Sequence, residues 1–203
     1  MSTPLLIVDV QRGFLNEYTS HIPARLKRLI ERREHDPVLF TRFVNSPDSP
    51  YHRILNWHEC QEGSDTELAL GVFEHVDPAQ IFIKQGHTGL PEELKSQLKE
   101  DGVERVAVAG IDTDMCVLKT AMDLFDLSIE PIVLVDCCAS TAGLQAHLAG
   151  LAILSRNIGA QQLRLAGLDE GYLAGPPSRQ AEIASRANGA TFSTDTQAHT
   201  NVS

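Results

Sequence analysis

Residues 105–125 read RVAVAGIDTDMCVLKTAMDLF, which is an apolar run, a polar turn and then a helix-like pattern. The apolar run is typical of a buried strand, and the spacing of apolar residues after Cys116 is typical of a helix. Such a unit places the Cys116 thiol at the positive end of a helix and at the carboxyl end of a strand, where ligands bind in α/β sheets. Cys116 is therefore a candidate nucleophile, although most free cysteines are simply small buried residues.

Two other apolar runs carry a charged residue near their carboxyl ends. Residues 4–10 read PLLIVDV and include Asp9, and residues 80–84 read QIFIK and end with Lys84. Because parallel strands bring their carboxyl ends to one edge of the sheet, we expect both side chains to meet Cys116 there. Asp9 could then take the thiol proton as general base, while Lys84 offsets the negative charge. A buried ion pair with only a structural role is the alternative.

Strand-like and helix-like segments alternate along most of the chain, which predicts an α/β fold. We expect one domain of three α/β/α layers around a central six-stranded, mainly parallel sheet. The predicted strands are residues 5–10, 38–43, 80–84, 105–111, 131–136 and 160–163. The predicted helices are residues 23–33, 92–100, 114–125 and 143–156. The apolar stripe expected to face the sheet in the third helix is Leu118, Ala121, Met122 and Phe125.

Two segments fall outside this alternation. The long connection 45–77 is polar and interrupted, and its Tyr51 and Trp57 could close over a substrate, meet a second subunit or pack on their own core. Residues 169–203 are rich in small and polar residues. We therefore expect a domain at residues 1–168, followed by an extended or mobile tail.

Composition limits the classes of partner. The 203 residues are 42% hydrophobic and carry a formal net charge of −10, which argues against nucleic acid and anionic membranes as partners. No apolar run approaches the roughly 18 residues of a membrane span, and the first residues lack a targeting pattern, so a cytoplasmic protein is expected. No phosphate loop, dinucleotide fingerprint or HExxH zinc helix is present, so no cofactor is expected.

Three motifs resemble a known group of enzymes. Residues 7–14, IVDVQRGF, the strand-ending Lys84 and residues 109–123, AGIDTDMCVLKTAMD, resemble the isochorismatase-like cysteine hydrolases. That superfamily includes nicotinamidases, N-carbamoylsarcosine amidohydrolases and ureidoacrylate amidohydrolases. The resemblance covers about residues 4–163. It implies a Rossmann-like fold, a small-molecule substrate and a homo-oligomer, either a dimer or a tetramer.

The same resemblance implies roles for individual residues. Asp9 would be the base, Lys84 its electrostatic partner and Cys116 the nucleophile. A cis peptide between Ile111 and Asp112 would turn the backbone N–H groups of Asp112 and Cys116 toward an oxyanion.

Five further residues are candidates for the substrate pocket: Gln11, Phe14, Arg42, Trp57 and His87. His87 stands where relatives often carry an aromatic residue, in the loop after the Lys84 strand. That loop could line the pocket, or it could simply be a turn leading into the next helix.

The metal site of nicotinamidases is not expected in this chain. Its first two ligands, an aspartate and a histidine, correspond here to Phe43 and Asn45, which are not a plausible ligand pair. His52, His58 and Asp48 lie nearby, but their spacing matches no compact metal motif.

Together these features predict a cysteine hydrolase that cleaves a C–N bond in a small amide or N-carbamoyl compound through a thiol-bound intermediate. An isochorismatase-type vinyl ether hydrolase is the alternative, since that reaction needs an acid such as Asp9 but no thiol. A catalytically silent scaffold with the same fold is a third reading.

Overall fold

The computed structural model describes residues 2–69 and 76–168, and the predicted tail lies outside them. Six strands form one sheet in the order β3-β2-β1-β4-β5-β6, and every neighbouring pair is parallel. The strands are β1 (Thr3–Val8), β2 (His35–Phe43), β3 (Ile81–Lys84), β4 (Arg105–Ile111), β5 (Glu130–Ala139) and β6 (Leu163–Arg164). The predicted α/β architecture is confirmed. The strand order reverses between β1 and β4, where such sheets bind ligands.

Helices flank the sheet. They are α1 (Ile22–Glu31), α2 (Pro50–Arg53), α3 (Glu92–Glu100), α4 (Leu118–Asp126) and α5 (Leu144–Ile158). The central strand β1 is apolar on both faces because both are covered, and Leu5, Leu6, Ile7 and Val8 are each at most 1% exposed. Within the described residues, no helix is long and apolar enough to cross a membrane.

The first strand is shorter than predicted. It ends at Val8, and Asp9, which we expected inside it, follows with a left-handed backbone at φ 51°. The Asp9 carbonyl accepts a hydrogen bond from the Gln11 N–H, which closes a tight turn. The chain therefore leaves the sheet at Asp9, which places the Asp9 carboxylate at the carboxyl edge of the sheet.

The last predicted strand is mostly wrong. Gly159 ends α5 with φ 95°, and a 3-10 turn at Ala160–Gln162 occupies most of the predicted segment. Only Leu163–Arg164 pairs with β5.

The apolar stripe predicted for the third helix is confirmed at Ala121, which is buried, and at Leu118, which packs against the core, but not at Phe125. Phe125 is 52% exposed, and the buried apolar residues are Val117, Ala121 and Leu124. Both sets follow a helical spacing, so the sequence pattern alone does not distinguish them. A wide π turn at Thr113–Val117 precedes α4.

Gly110 in β4 provides a test of the packing between the central strands. Its φ is +129°, and a Cβ there would lie 2.1 Å from the Val8 carbonyl oxygen. Gly110→Ala should therefore lower the free energy of unfolding by about 3 kcal/mol or more, measured by urea denaturation. The control is Gly86→Ala, because a Cβ at Gly86 meets nothing within 4 Å. Equal stability of the two variants would contradict this packing.

Candidate active site

A buried ion pair lies at the carboxyl edge of the sheet. Lys84, the last residue of β3, places Nζ 2.6 Å from Oδ2 of Asp9, which directly follows β1. The Lys84 side chain is 2% exposed and the Asp9 side chain 1%. The short contact between Nζ and Oδ2 stabilises the charged form of Lys84, and Cys116 interacts with both members of the pair.

Neighbouring groups hold both members of the pair. Thr41, in β2 between the two strands, donates from Oγ1 to Asp9 Oδ1 at 2.7 Å and accepts from the Asp9 N–H at 3.1 Å. Lys84 Nζ donates to the Gly86 carbonyl at 2.8 Å. The charges therefore keep fixed positions, as a site that handles protons requires.

Cys116 lies in the π turn between β4 and α4, and the peptide bond between Ile111 and Asp112 is cis. Thr120 Oγ1 donates to the Cys116 carbonyl at 2.6 Å and accepts from the Gly89 N–H at 2.7 Å. Thr120 thus joins the Cys116 turn to the loop that follows Lys84.

The Asp112 side chain points to the end of β5. Its two oxygens accept from the N–H and the hydroxyl of Thr141 at 2.6 and 2.7 Å. Burial raises the pKa of Asp112, and the two bonds from Thr141 oppose that rise. Both oxygens of Asp112 are therefore occupied by hydrogen bonds that fix the position of Thr141.

Burial and the charge of Asp9 keep Cys116 protonated. Burial, and then the negative charge of Asp9, raise the pKa of Cys116 to about 12, and Lys84 offsets this only in part. Burial would lower the pKa of Lys84, but its attraction to Asp9 and Cys116 raises it overall. At neutral pH the site therefore holds an ammonium at Lys84 and a protonated thiol at Cys116.

A cavity of about 420 Å³ opens above Cys116. Of the predicted pocket residues, Phe14, Trp57 and His87 line it, and so do Ile111, Asp112 and Cys116. Phe43 and Tyr51 also line it, so that one part of its wall is aromatic. Phe43 additionally lies beneath the ion pair, with Lys84 Nζ 5.5 Å from the centre of its ring.

Gln11 and Arg42, also expected in the pocket, do not line the cavity. The buried Gln11 donates to the carbonyls of Phe43 and Thr66 and accepts from the Phe43 N–H, so its amide clamps the backbone. Arg42 lies between Thr41 and Phe43 in β2. Because successive side chains of a strand point to opposite faces, Arg42 points away from the site that its two neighbours reach.

Tyr51, which we expected either to close over a substrate, to meet a second subunit or to pack on its own core, lines the cavity. Its ring makes edge contacts with Phe43 at 5.0 Å and His87 at 5.2 Å. Burial and the nearby Cys116 and Asp9 all raise the pKa of Tyr51. Its hydroxyl therefore stays protonated at neutral pH.

The residues at the positions of the nicotinamidase metal pair do not suit a metal. Phe43 is part of the aromatic wall, and Asn45 is 2% exposed with its amide bonded to backbone carbonyls. His52 and His58 contact each other, with Nδ1 atoms 3.1 Å apart. Across residues 2–69 and 76–168, no group of three or more His, Cys, Asp or Glu could hold a metal ion.

Comparisons with known proteins agree with this architecture. The family model described as the isochorismatase domain matches residues 3–166. An isochorismatase-like hydrolase from Alkaliphilus metalliredigens is 20% identical with a TM-score of 0.71, over 86% of this chain and 99% of the other. N-carbamoylsarcosine amidase from Thermoplasma acidophilum is 23% identical with a TM-score of 0.64, over 78% and 94%. Nicotinamidase from Bacillus subtilis is 20% identical with a TM-score of 0.66, over 78% and 97%. No curated protein sequence matches the chain.

The protonation of Cys116 can be tested by alkylation. Because its pKa is raised to about 12, the rate of Cys116 alkylation by iodoacetamide should still rise about 10-fold per pH unit between about pH 9.5 and 10.5, whereas the rate of an ordinary thiol, with a pKa near 8.5, has levelled off by about pH 9.5. The rate is measured by mass spectrometry of the Cys116 peptide, with Cys116→Ser as the unlabelled control. Lys84→Met should slow labelling further, since it removes the charge that favours the thiolate. A plateau already reached near neutral pH would show a resting thiolate and contradict this account.

Proposed function

The chain belongs to the isochorismatase family, which its sequence motifs also resemble. We propose that this hydrolase is a cysteine amidohydrolase. It cleaves a C–N bond of a small amide or N-carbamoyl compound through a covalent intermediate on Cys116. The observation that carries the proposal is the buried Asp9–Lys84 pair, 2.6 Å apart, at the cavity that Cys116 lines. A cavity of about 420 Å³ suits a small substrate.

In the first half of the reaction, Cys116 Sγ attacks the carbonyl carbon while its proton passes to Asp9. Lys84 stabilises the carboxylate before the transfer and the negative charge that develops during it. The backbone N–H groups of Asp112 and Cys116 bind the oxyanion of the tetrahedral intermediate. Asp9 then returns the proton to the nitrogen, the C–N bond breaks, and the acyl group remains on sulfur as a thioester.

In the second half, water replaces the released amine or ammonia. Asp9 removes a proton from the water as its oxygen attacks the thioester, and the same oxyanion donors act again. The C–S bond then breaks, the proton goes to Cys116, and the acid product leaves. Each group returns to its starting protonation state, so the cycle consumes only substrate and water.

The thiol favours this chemistry over vinyl ether hydrolysis. The vinyl ether reaction needs a proton donor and water, and nothing in it requires sulfur. Here Cys116 lines the cavity, and its charge is coupled to that of Asp9 and of Lys84. A dimer or tetramer stays a prediction, as does a cytoplasmic location.

Loss of the thiol should abolish hydrolysis. We expect Cys116→Ala to reduce ammonia release from primary amides and N-carbamoyl compounds by at least about 1,000-fold, with Asp9→Asn similarly impaired. Ammonia is measured by a coupled assay, and circular dichroism confirms that the variants are folded. Cys137→Ala, which changes a buried cysteine outside the cavity lining, should keep activity. Ammonia release that survives in Cys116→Ala would contradict thiol chemistry.

A further inference from the structure

The cavity carries negative charge with no positive charge to match it. Among the described residues, the charged side chains in its lining are Glu59 and Asp112, and no lysine or arginine lines it. Lys84 is not part of the lining, and its charge is paired with that of Asp9. Burial, and then the charge of Lys84, lower the pKa of His87, so this ring is neutral at neutral pH.

Glu59 differs from Asp112 because its carboxylate has no hydrogen-bond or ion-pair partner among the described residues. Asp112 is bonded twice to Thr141. Within the part of the chain that the structure describes, Glu59 makes no side-chain hydrogen bond or ion pair. It is exposed at the mouth of the cavity and available to a ligand.

The segment that carries Glu59 is held in place. The buried Asn45 donates from Nδ2 to the carbonyls of Trp57 and Glu59, at 3.2 and 3.0 Å. Its backbone N–H donates to the Cys60 carbonyl at 2.8 Å. Trp57 and Glu59, two residues apart, therefore both line the cavity from a fixed backbone.

Trp57 belongs to an aromatic wall. Its ring centre lies 6.0 Å from that of Phe43 and 5.8 Å from that of Tyr51. Aromatic faces beside a carboxylate attract an organic cation, because the cation interacts favourably with the electron-rich ring face and with the negative charge. A substrate carboxylate would instead lose water here without gaining a cationic partner from the described lining.

We propose that the end of the substrate remote from the scissile C–N bond carries a protonated amine, which binds between the ring of Trp57 and the carboxylate of Glu59. This inference rests on the proposed function and narrows its substrate class. Amino-substituted amides and N-carbamoyl amines are then substrates, whereas compounds with a carboxylate at the remote end are rejected.

Binding can be measured without catalysis, because Trp57 is the one tryptophan in the sequence. Fluorescence titrations use benzylammonium, benzyl alcohol and benzoate, which differ mainly in charge. We expect benzylammonium to bind at least about 10-fold more tightly than benzoate, with a smaller difference at high salt. Glu59→Gln should remove most of this preference. Glu62→Gln is the control: it removes the charge of an exposed glutamate outside the cavity lining, so the preference should be retained.

Hydrolysis provides the second arm. The para-aminomethyl, para-methyl and para-carboxy benzamides are compared by kcat/KM for ammonia release, and the cationic compound should be the best. Tighter binding of benzoate, or faster hydrolysis of the carboxy compound, would overturn the inference and leave the proposed function standing. Glu59-dependent binding of benzylammonium with ammonia release that survives in Cys116→Ala would support the inference and refute the proposed thiol mechanism.

Discussion

The rest of the site depends on the contact between Lys84 and Asp9. Two charges with side chains at most 2% exposed are costly to bury, and they are tolerated only when each has the other and further polar partners. The strand order β3-β2-β1 places Thr41 of β2 between them, where its hydroxyl satisfies the second oxygen of Asp9. The ion pair thus couples the carboxyl ends of three strands, and removing one partner would leave an uncompensated buried charge.

This pair also determines how Cys116 can react. The negative charge of Asp9 and burial of the thiol outweigh the positive charge of Lys84, so the thiol stays protonated. In the proposed mechanism the proton is removed during attack, and Asp9 is the acidic side chain coupled to both Cys116 and Lys84. The pocket beyond carries no basic side chain in its described lining, so charge in the substrate is recognised by Glu59 and the aromatic rings.

The sequence predicted Asp9, Lys84 and the Cys116 turn as neighbours because each follows or ends an apolar run, and parallel strands collect such ends at one edge. It did not reveal the position of Tyr51, since the connection that carries Tyr51 has no periodicity to orient its side chains. It placed Phe125 on the buried face of the helix after Cys116, where Phe125 is in fact exposed, because the apolar spacing fits two neighbouring faces of that helix. Gln11 was expected in the pocket, but an amide in that position serves equally well to clamp backbone groups.

The most direct test of thiol catalysis is to trap the covalent intermediate. The protein is mixed with an amide that it hydrolyses, and the reaction is stopped with acid within one turnover. The mass of the intact protein, and then of its proteolytic peptides, is measured by mass spectrometry. The account predicts an added mass equal to the substrate less the released amine or ammonia, located on the peptide that contains Cys116 and absent from Cys116→Ala. Ammonia release with no adduct in the wild-type protein, or an adduct on a different residue, would contradict it.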